Sequence, residues 1–323
     1  MAMRLKWVLA VLVMFGFSVI GFTESAQAAR RMMVVGTAPA RSAAFPYMVG
    51  VATIVNKAIP ELALSPQETG GSVANIRLLD EGKIELSGFA GSAAAAAVDG
   101  KKPFKKKRKV NVLLIMYQQR YIWMGRQSSG IKSWKDVAGK KIVVGSAGGS
   151  TRVVGTLVAK AMGMDKKADL KFLRPGAMIA ALRNGTADAG YGLITGNSLV
   201  PWVRQIQATL KVNIYGTNDA TIAKISKAIP GIIRGDIPKG LVKGKGAFAT
   251  VGDYLMMGAS HKLPNSDAYN IVKAVYENYK RLPTFTPTIK KGAKPSGLFR
   301  GLPGNVKYHP GSARFFKEKG LMK

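Results

Sequence analysis

The sequence predicts an α/β protein built as two lobes, each a doubly wound sheet flanked by helices. Three observations predict it. A strand, a glycine turn and a helix recur about a hundred residues apart, as if one unit were present twice. Strand-like and helix-like segments alternate, which implies parallel βαβ connections. Finally, 47% of the 323 residues are apolar, ample for buried cores and too many for a disordered basic tail.

The segment up to Ala28 precedes this pattern. Arg4 and Lys6 form a short positive region, Trp7 to Phe22 carries no charge, and Ala26-Gln27-Ala28 is an A-x-A site. This reads as a secretory signal peptide cleaved after Ala28. The apolar run is shorter than the roughly 20 residues that span a bilayer, so an uncleaved anchor is the weaker alternative. The mature chain, 29–323, is then exported. No later stretch is long and apolar enough to span a membrane.

In the mature chain, Met33-Val34-Val35-Gly36 reads as a buried strand ending in a glycine turn, and Ile142-Val143-Val144-Gly145 repeats it. Helix-like stretches follow, Tyr47 to Ala58 in the first unit and Val153 to Met162 in the second. Ile76 to Leu86 then matches Ile179 to Ala189. Each reads as a helix, a glycine cap (Gly82, Gly185) and a short strand.

Between the units lies Val110 to Arg126, almost continuously apolar and broken at Gln118-Gln119-Arg120. It reads as one strand entering a hinge and another leaving it. Gly246 to Gly258 can run back beside it. Asp267 to about Arg281 reads as a helix with Ile271, Val275 and Tyr279 on one face. The chain after Pro283, rich in Pro, Gly and Lys, is expected to be irregular. The lobes implied are 29–118 plus 248–323, and 119–247.

The charge is lopsided. The formal net charge is +32, and losing Arg4, Lys6 and Glu24 leaves +31. Residues 1–100 hold 8 basic and 7 acidic residues, while 101–323 hold 41 and 10. Such a balance first points to nucleic acid, but an exported protein does not meet chromosomal DNA or ribosomes. The densest stretch, Lys101 to Lys109, is either a solvated loop or a patch for an acidic surface.

Several chemistries are excluded. With no cysteine there is no disulfide, zinc-thiolate site or thiol nucleophile. The two histidines, His261 and His309, lie far apart in the chain and lack metal-ligand spacing. No G-x-S-x-G elbow, Walker loop or close carboxylate pair is present. An enzyme has no visible apparatus here, and no cofactor is implied.

What remains is four loops of small polar residues at strand ends: Gly36 to Ser42, Glu68 to Ser72, Gly145 to Thr151 and Gly192 to Asn197. In open α/β sheets ligands sit outside the carboxyl ends of strands, where helix N-termini present free N–H groups and a partial positive charge. The loops therefore suit a small anion, above all a carboxylate. Each taken singly could be a mere helix cap.

Four segments carry a family resemblance. They are Gly36-Thr37 through Phe45-Pro46-Tyr47, Glu68-Thr69-Gly70-Gly71-Ser72 through Leu79, Ser129 through Ile142 with its D-x-x-G-K-x-I pattern, and Gly145 through Thr151. The ending around His309-Pro310-Gly311 and Phe315-Phe316 is also similar. By these the chain resembles the TAXI family of solute-binding receptors of tripartite ATP-independent periplasmic (TRAP) transporters. The resemblance implies a two-lobed, type II-like periplasmic binding protein fold with its ligand cleft between the lobes. It implies a monomeric receptor in the periplasm that hands a small organic anion, a carboxylate or amino acid, to TRAP membrane subunits.

The expected ligand-binding residues are Thr37, Arg41, Ser42, Phe45, Gly70, Gly71, Ser72, Asn75, Ser92, Tyr117, Tyr121, Gly149, Ser150, Thr151, Arg152 and Thr195. Arg41 and Arg152 are either bidentate carboxylate anchors or solvent-facing loop arginines. Phe45, Tyr117 and Tyr121 either wall an apolar part of the ligand or simply pack at the hinge. Here the family's Thr-Tyr-Tyr-Pro run becomes Ala43-Ala44-Phe45-Pro46, and Ala90-Gly91-Ser92 is followed by five alanines. Both changes remove polar contacts from the expected cleft. Two rival readings remain, a secreted basic protein that binds acidic polymers or the anionic membrane surface, and a secreted enzyme on the same scaffold.

Overall fold

A computed structural model describes residues 30–290 and 292–323. The expected signal peptide lies outside the described residues. Among them, no helix is long and apolar enough to cross a membrane.

The chain begins with β1 (Arg31–Gly36), α1 (Ala44–Ala58), β2 (Leu62–Gln67), α2 (Ser72–Asp80), β3 (Leu86–Ala90) and α3 (Gly91–Val98). Strand β1 pairs in parallel with β2 and with β3. Parallel neighbours need crossovers, and α1 and α2 supply them. The helices are amphipathic in the expected sense: Tyr47, Met48, Val51, Ile54 and Val55 of α1 are buried.

Next comes β4 (Asn111–Arg126), and then a second set of alternating elements. These are β5 (Lys141–Val143), α4 (Ser150–Ala161), β6 (Asp169–Lys171), α5 (Pro175–Asn184) and β7 (Ala189–Thr195). There follow β8 (Ser198–Leu199), α6 (Pro201–Thr209), β9 (Val212–Tyr215), α7 (Asp219–Ala228) and β10 (Ile233–Ile237). Strand β5 lies parallel to β6 and β7, repeating the arrangement around β1. Finally β11 (Phe248–Ala259) returns, followed by α8 (Asn265–Glu277), α9 (Leu282–Phe285), β12 (Lys307–Tyr308) and α10 (Pro310–Glu318).

Two separate apolar cores result. One is formed by residues between Met33 and Tyr117 together with Leu255 to Phe316, the other by residues between Tyr121 and Val251. Core membership thus changes within both β4 and β11. These two strands pair antiparallel from Asn111 opposite Ala259 to Tyr121 opposite Val251, and they belong to both lobes. The strand ladders of the two lobes therefore join through them into one path, β2-β1-β3-β11-β4-β7-β5-β6.

Two expectations need correction. Residues 110–126 hold a single unbroken strand, β4, in place of the two expected. Gln119 and Arg120 interrupt the apolar run without interrupting the backbone, because both are buried with hydrogen-bond partners. Gln119 Nε2 donates to the Tyr121 hydroxyl at 2.6 Å, and Arg120 donates to the carbonyl of Asp236 at 2.7 Å and to that of Gly196. The chain after Pro283 is not wholly irregular. Helix α10 buries Phe315 and Phe316 in the first core, where they contact Tyr276, Phe299 and Tyr308. His309 holds its start, its Nδ1 accepting from the Gly311 N–H and its Nε2 donating to the Leu263 carbonyl at 3.0 Å.

The basic stretch is an ordered loop. Phe104 is buried, Arg108 pairs with Asp80 at 2.8 Å, and the Lys109 N–H donates to the same carboxylate. The lysines at 101, 102, 105, 106, 107 and 109 face solvent. The loop enters β4 at Asn111, eight residues from Gln119. That is about 26 Å along an extended strand at ~3.3 Å per residue, so the charge lies far from the hinge.

Candidate ligand-binding cleft

At the hinge the two lobes enclose a cavity of about 100 Å³. The first lobe contributes Thr37, Ala38, Pro39 and Ser42 to Ala44 from the turn after β1. It also contributes Gly70 to Ser72 from the turn after β2, and Gly88. Facing them from the second lobe are Ser146 and Gly149 to Thr151 after β5, Pro175, and Tyr191, Leu193, Thr195, Val200 and Trp202. The hinge strands supply Tyr117, Gln119 and Leu255.

Three helices begin at this cavity, α1 at Ala44, α2 at Ser72 and α4 at Ser150. No side chain closes α2 or α4, whereas at α1 the Phe45 N–H donates to the Ser42 Oγ at 3.4 Å and Pro46 has no N–H to offer. Unfilled N-termini carry N–H donors and about half a positive charge each. The turns that present α2 and α4 meet backbone to backbone. Gly71 has φ 95°, and a methyl group there would lie 3.4 Å from the Gly149 Cα. A methyl group on Gly148 would lie 3.0 Å from the Gly70 carbonyl oxygen. The positive φ at Gly71 favours glycine, and a side chain on Gly148 would press on the Gly70 carbonyl, so these glycines bear on how closely the lobes approach.

The side chains around the cavity mostly brace the loops. Thr37 Oγ1 donates to the Gln67 carbonyl at 2.8 Å. Ser72 Oγ accepts from the Ala90 N–H, and Thr151 Oγ1 from the Ser146 N–H. Tyr191 and Trp202 meet edge to face at 5.2 Å and form one wall. Tyr117 stands against Tyr47 at 5.7 Å on the other side. Burial pushes the phenol of Tyr117 far above its ordinary range, so it is neutral.

Of the expected residues, the structure brings Thr37, Ser42, Gly70, Gly71, Ser72, Tyr117, Gly149, Ser150, Thr151 and Thr195 to one cavity. Six lie elsewhere, each for a physical reason. Asn75 is fully buried and donates to the carbonyls of Thr37 at 2.8 Å and Gly88 at 2.7 Å, lacing β1 to β3 beneath the cavity. Ser92 is taken by Asp253, whose Oδ2 accepts from its hydroxyl at 2.5 Å and from its N–H at 3.2 Å. Tyr121 lies below Gln119 as its hydrogen-bond partner. Arg152 is exposed and lies over the Phe172 ring at 4.4 Å. Arg41 and Phe45 line a separate outer groove with Pro46, Pro201, Trp202 and Gln205. Ser42 and Trp202 line both, so the groove adjoins the cavity there.

Sequence reasoning missed Gln119, Tyr191, Leu193, Val200, Trp202 and Leu255. Gln119 had a signal, a polar residue inside an apolar strand. Leu193 lay in the Gly192 to Asn197 stretch already singled out, which is the end of β7 and its turn and not a loop. Leu255 had none, because a bulge aims it. The register shifts between Leu255 and Met256, leaving Met116 unpaired on β4.

The chain matches the NMT1-like family over residues 35–320, most of its length. It belongs to that family. Among solved structures it is similar to MatC from Rhodopseudomonas palustris with bound malate, at 12% identity and a TM-score of 0.53, covering 80% of this chain and 87% of that one. A protein from Bordetella bronchiseptica RB50 gives 14% identity and a TM-score of 0.51 over 90% and 89% of the two chains. An ABC uptake transporter substrate-binding protein from Streptococcus pneumoniae with bound histidine gives 13% and 0.50 over 81% and 95%. These likenesses show the fold, that of the substrate-binding proteins of transporters, with a sheet flanked by helices in two lobes. Among the described residues of this NMT1-like protein there is no cluster of three or more His, Cys, Asp or Glu able to hold a metal ion.

Proposed function

We propose that this protein is an extracytoplasmic solute-binding receptor that captures a small organic anion between its lobes and passes it to TRAP membrane subunits. One observation carries the reading: the uncapped starts of α2 and α4, one from each lobe, open on a single cavity. An anion there is held by N–H donors from both sides at once. Each terminus contributes roughly 0.3–2 kcal/mol, a useful part of the ~8 kcal/mol of micromolar binding. Because the ligand touches both lobes, it favours the closed state by differential affinity.

The transport role is supported by the family, by the fold and by the lack of a carboxylate, histidine or lysine among the described residues that line the cavity. The TRAP assignment rests on the T-G-G-S and D-x-x-G-K-x-I segments described above. The lobe limits that fit it are 29–118 with 248–323 and 119–247, with export directed by the segment that ends at Ala28.

Native mass spectrometry of the protein purified from its host tests the reading, with an expected added mass of a small organic acid. A panel of organic and amino acids in a thermal-shift assay is the second arm. If no ligand co-purifies and no member of the panel raises the melting temperature, the receptor reading falls.

A further inference from the structure

We propose that the cleft selects a small monocarboxylate with an apolar body, and rejects amino acids and dicarboxylates. The inference rests on the solute-binding reading and narrows its ligand class. None of the described residues lining the cavity is Lys, Arg, His, Asp or Glu. The positive pole is formed by the N–H groups at the starts of α2 and α4. One carboxylate satisfies it.

The rest of the lining decides the rest of the molecule. It is Leu193, Val200 and Trp202 with Leu255 and Tyr117 at the hinge, plus Tyr191, whose hydroxyl meets Ser146 beside the start of α4. An amino acid bound by its carboxylate would place its ammonium in a cavity whose lining holds no carboxylate to meet it. Burying an unpaired charge costs several kcal/mol, enough to abolish useful affinity. A second carboxylate fares no better. Arg41 lines the adjoining outer groove and not the cavity, and Arg152 stacks on Phe172. A neutral substituent is acceptable, because Gln119 and Thr195 give the apolar wall a polar edge near the hinge. Size agrees with a compact acid. At ~10–15 Å³ for each water-sized group, about 100 Å³ holds roughly seven to ten such groups.

Titration calorimetry on the full mature chain with three acids of equal heavy-atom count is the test: 4-methyl-2-oxopentanoate, leucine and glutarate. We expect the oxo acid to bind at least about tenfold more tightly than the other two. Leucine or glutarate binding as tightly as the oxo acid overturns the selectivity and leaves the receptor reading standing. Binding by none of the three also overturns the selectivity. If a broad panel of organic acids then fails as well, the receptor reading goes with it.

A gain-of-function variant guards against misreading a folding defect. Leu193→Asp adds a carboxylate to the half-buried wall. Oxo-acid affinity is expected to fall, and leucine affinity to rise, each by at least about tenfold. A variant that folds, by its thermal transition, and loses both acids equally counts against the inference.

Discussion

The Asp253 carboxylate sits on the first turn of α3 and accepts from both the hydroxyl and the N–H of Ser92. Asp253 is fully buried on the shared strand β11, directly opposite Gln119 of β4. The positive end of α3 is thus occupied by the protein's own Asp253, whereas α2 and α4 present theirs to the cavity.

Burial pushes the Asp253 carboxyl up to about 7, outweighing the Ser92 donors that favour its ionised form. Between about pH 4 and pH 7 the folded protein then retains a proton that the unfolded chain, with an ordinary value of ~3.9, has released. The contribution of this group to stability is full at the acid end of that window and is lost as pH rises to about 7. Asp253→Asn is expected to remove that slope. Thermal denaturation of both proteins from pH 4 to 8 checks it, and two parallel profiles would contradict the assignment. Asp80, Asp99 and Asp136, whose carboxyls are held low, act below this window and equally in both proteins.

Closure can be perturbed without touching the ligand. Gly148 has ordinary backbone angles, so Gly148→Ala costs the fold little, but its methyl group meets the Gly70 carbonyl only when the lobes are shut. The variant should keep its melting temperature without ligand and lose affinity. The larger Gly148→Leu should lose more. Ligand-induced compaction in small-angle scattering should shrink in the same order.

The two arginines offer a contrast. Arg41→Ala and Arg152→Ala should leave ligand affinity within about twofold, since neither side chain lines the cavity. Trp202→Ala should weaken binding strongly, because it opens the cavity into the outer groove. It should also lower stability by about 3–5 kcal/mol, as expected for an emptied aromatic site. Calorimetry together with urea unfolding separates the two effects.

The C-terminal segment predicts a folding phenotype. Phe315 and Phe316 are almost wholly buried, and either Phe→Ala substitution should cost about 3–5 kcal/mol. Removing residues 309–323 should prevent the first lobe from folding stably. Urea titration of the point variants gives the magnitude.

Much of the scaffold was legible because it follows periodicity. The paired runs Met33 to Gly36 and Ile142 to Gly145, and the caps at Gly82 and Gly185, needed only local rules. Eight of the expected residues reach the cavity because strand-end loops must cluster at the carboxyl edge of a parallel sheet, while Thr195 ends β7 and Tyr117 stands on the hinge strand β4. What escaped is long-range. A serine beside a helix start looks the same whether a ligand or Asp253 faces it. An arginine in the first loop looks like an anchor until it is seen to line a groove beside the cavity, with Pro201, Trp202 and Gln205 from far along the chain in the second lobe. The unbroken course of β4 was hidden because Gln119 and Arg120 interrupt its apolar run, and the Arg120 partners come from distant segments.

That continuous course governs how the cleft can open. Because β4 and β11 cross together in antiparallel register, neither can slide past the other without breaking the backbone bonds of both lobes. Opening is therefore a twist or bend of a two-strand ribbon, with elastic resistance that grows with angle, unlike a loop that swings freely. Tyr117, Gln119 and Leu255 stand on that ribbon as part of the cavity wall. A ligand in contact with them meets a surface whose shape is itself a gauge of the angle between the lobes.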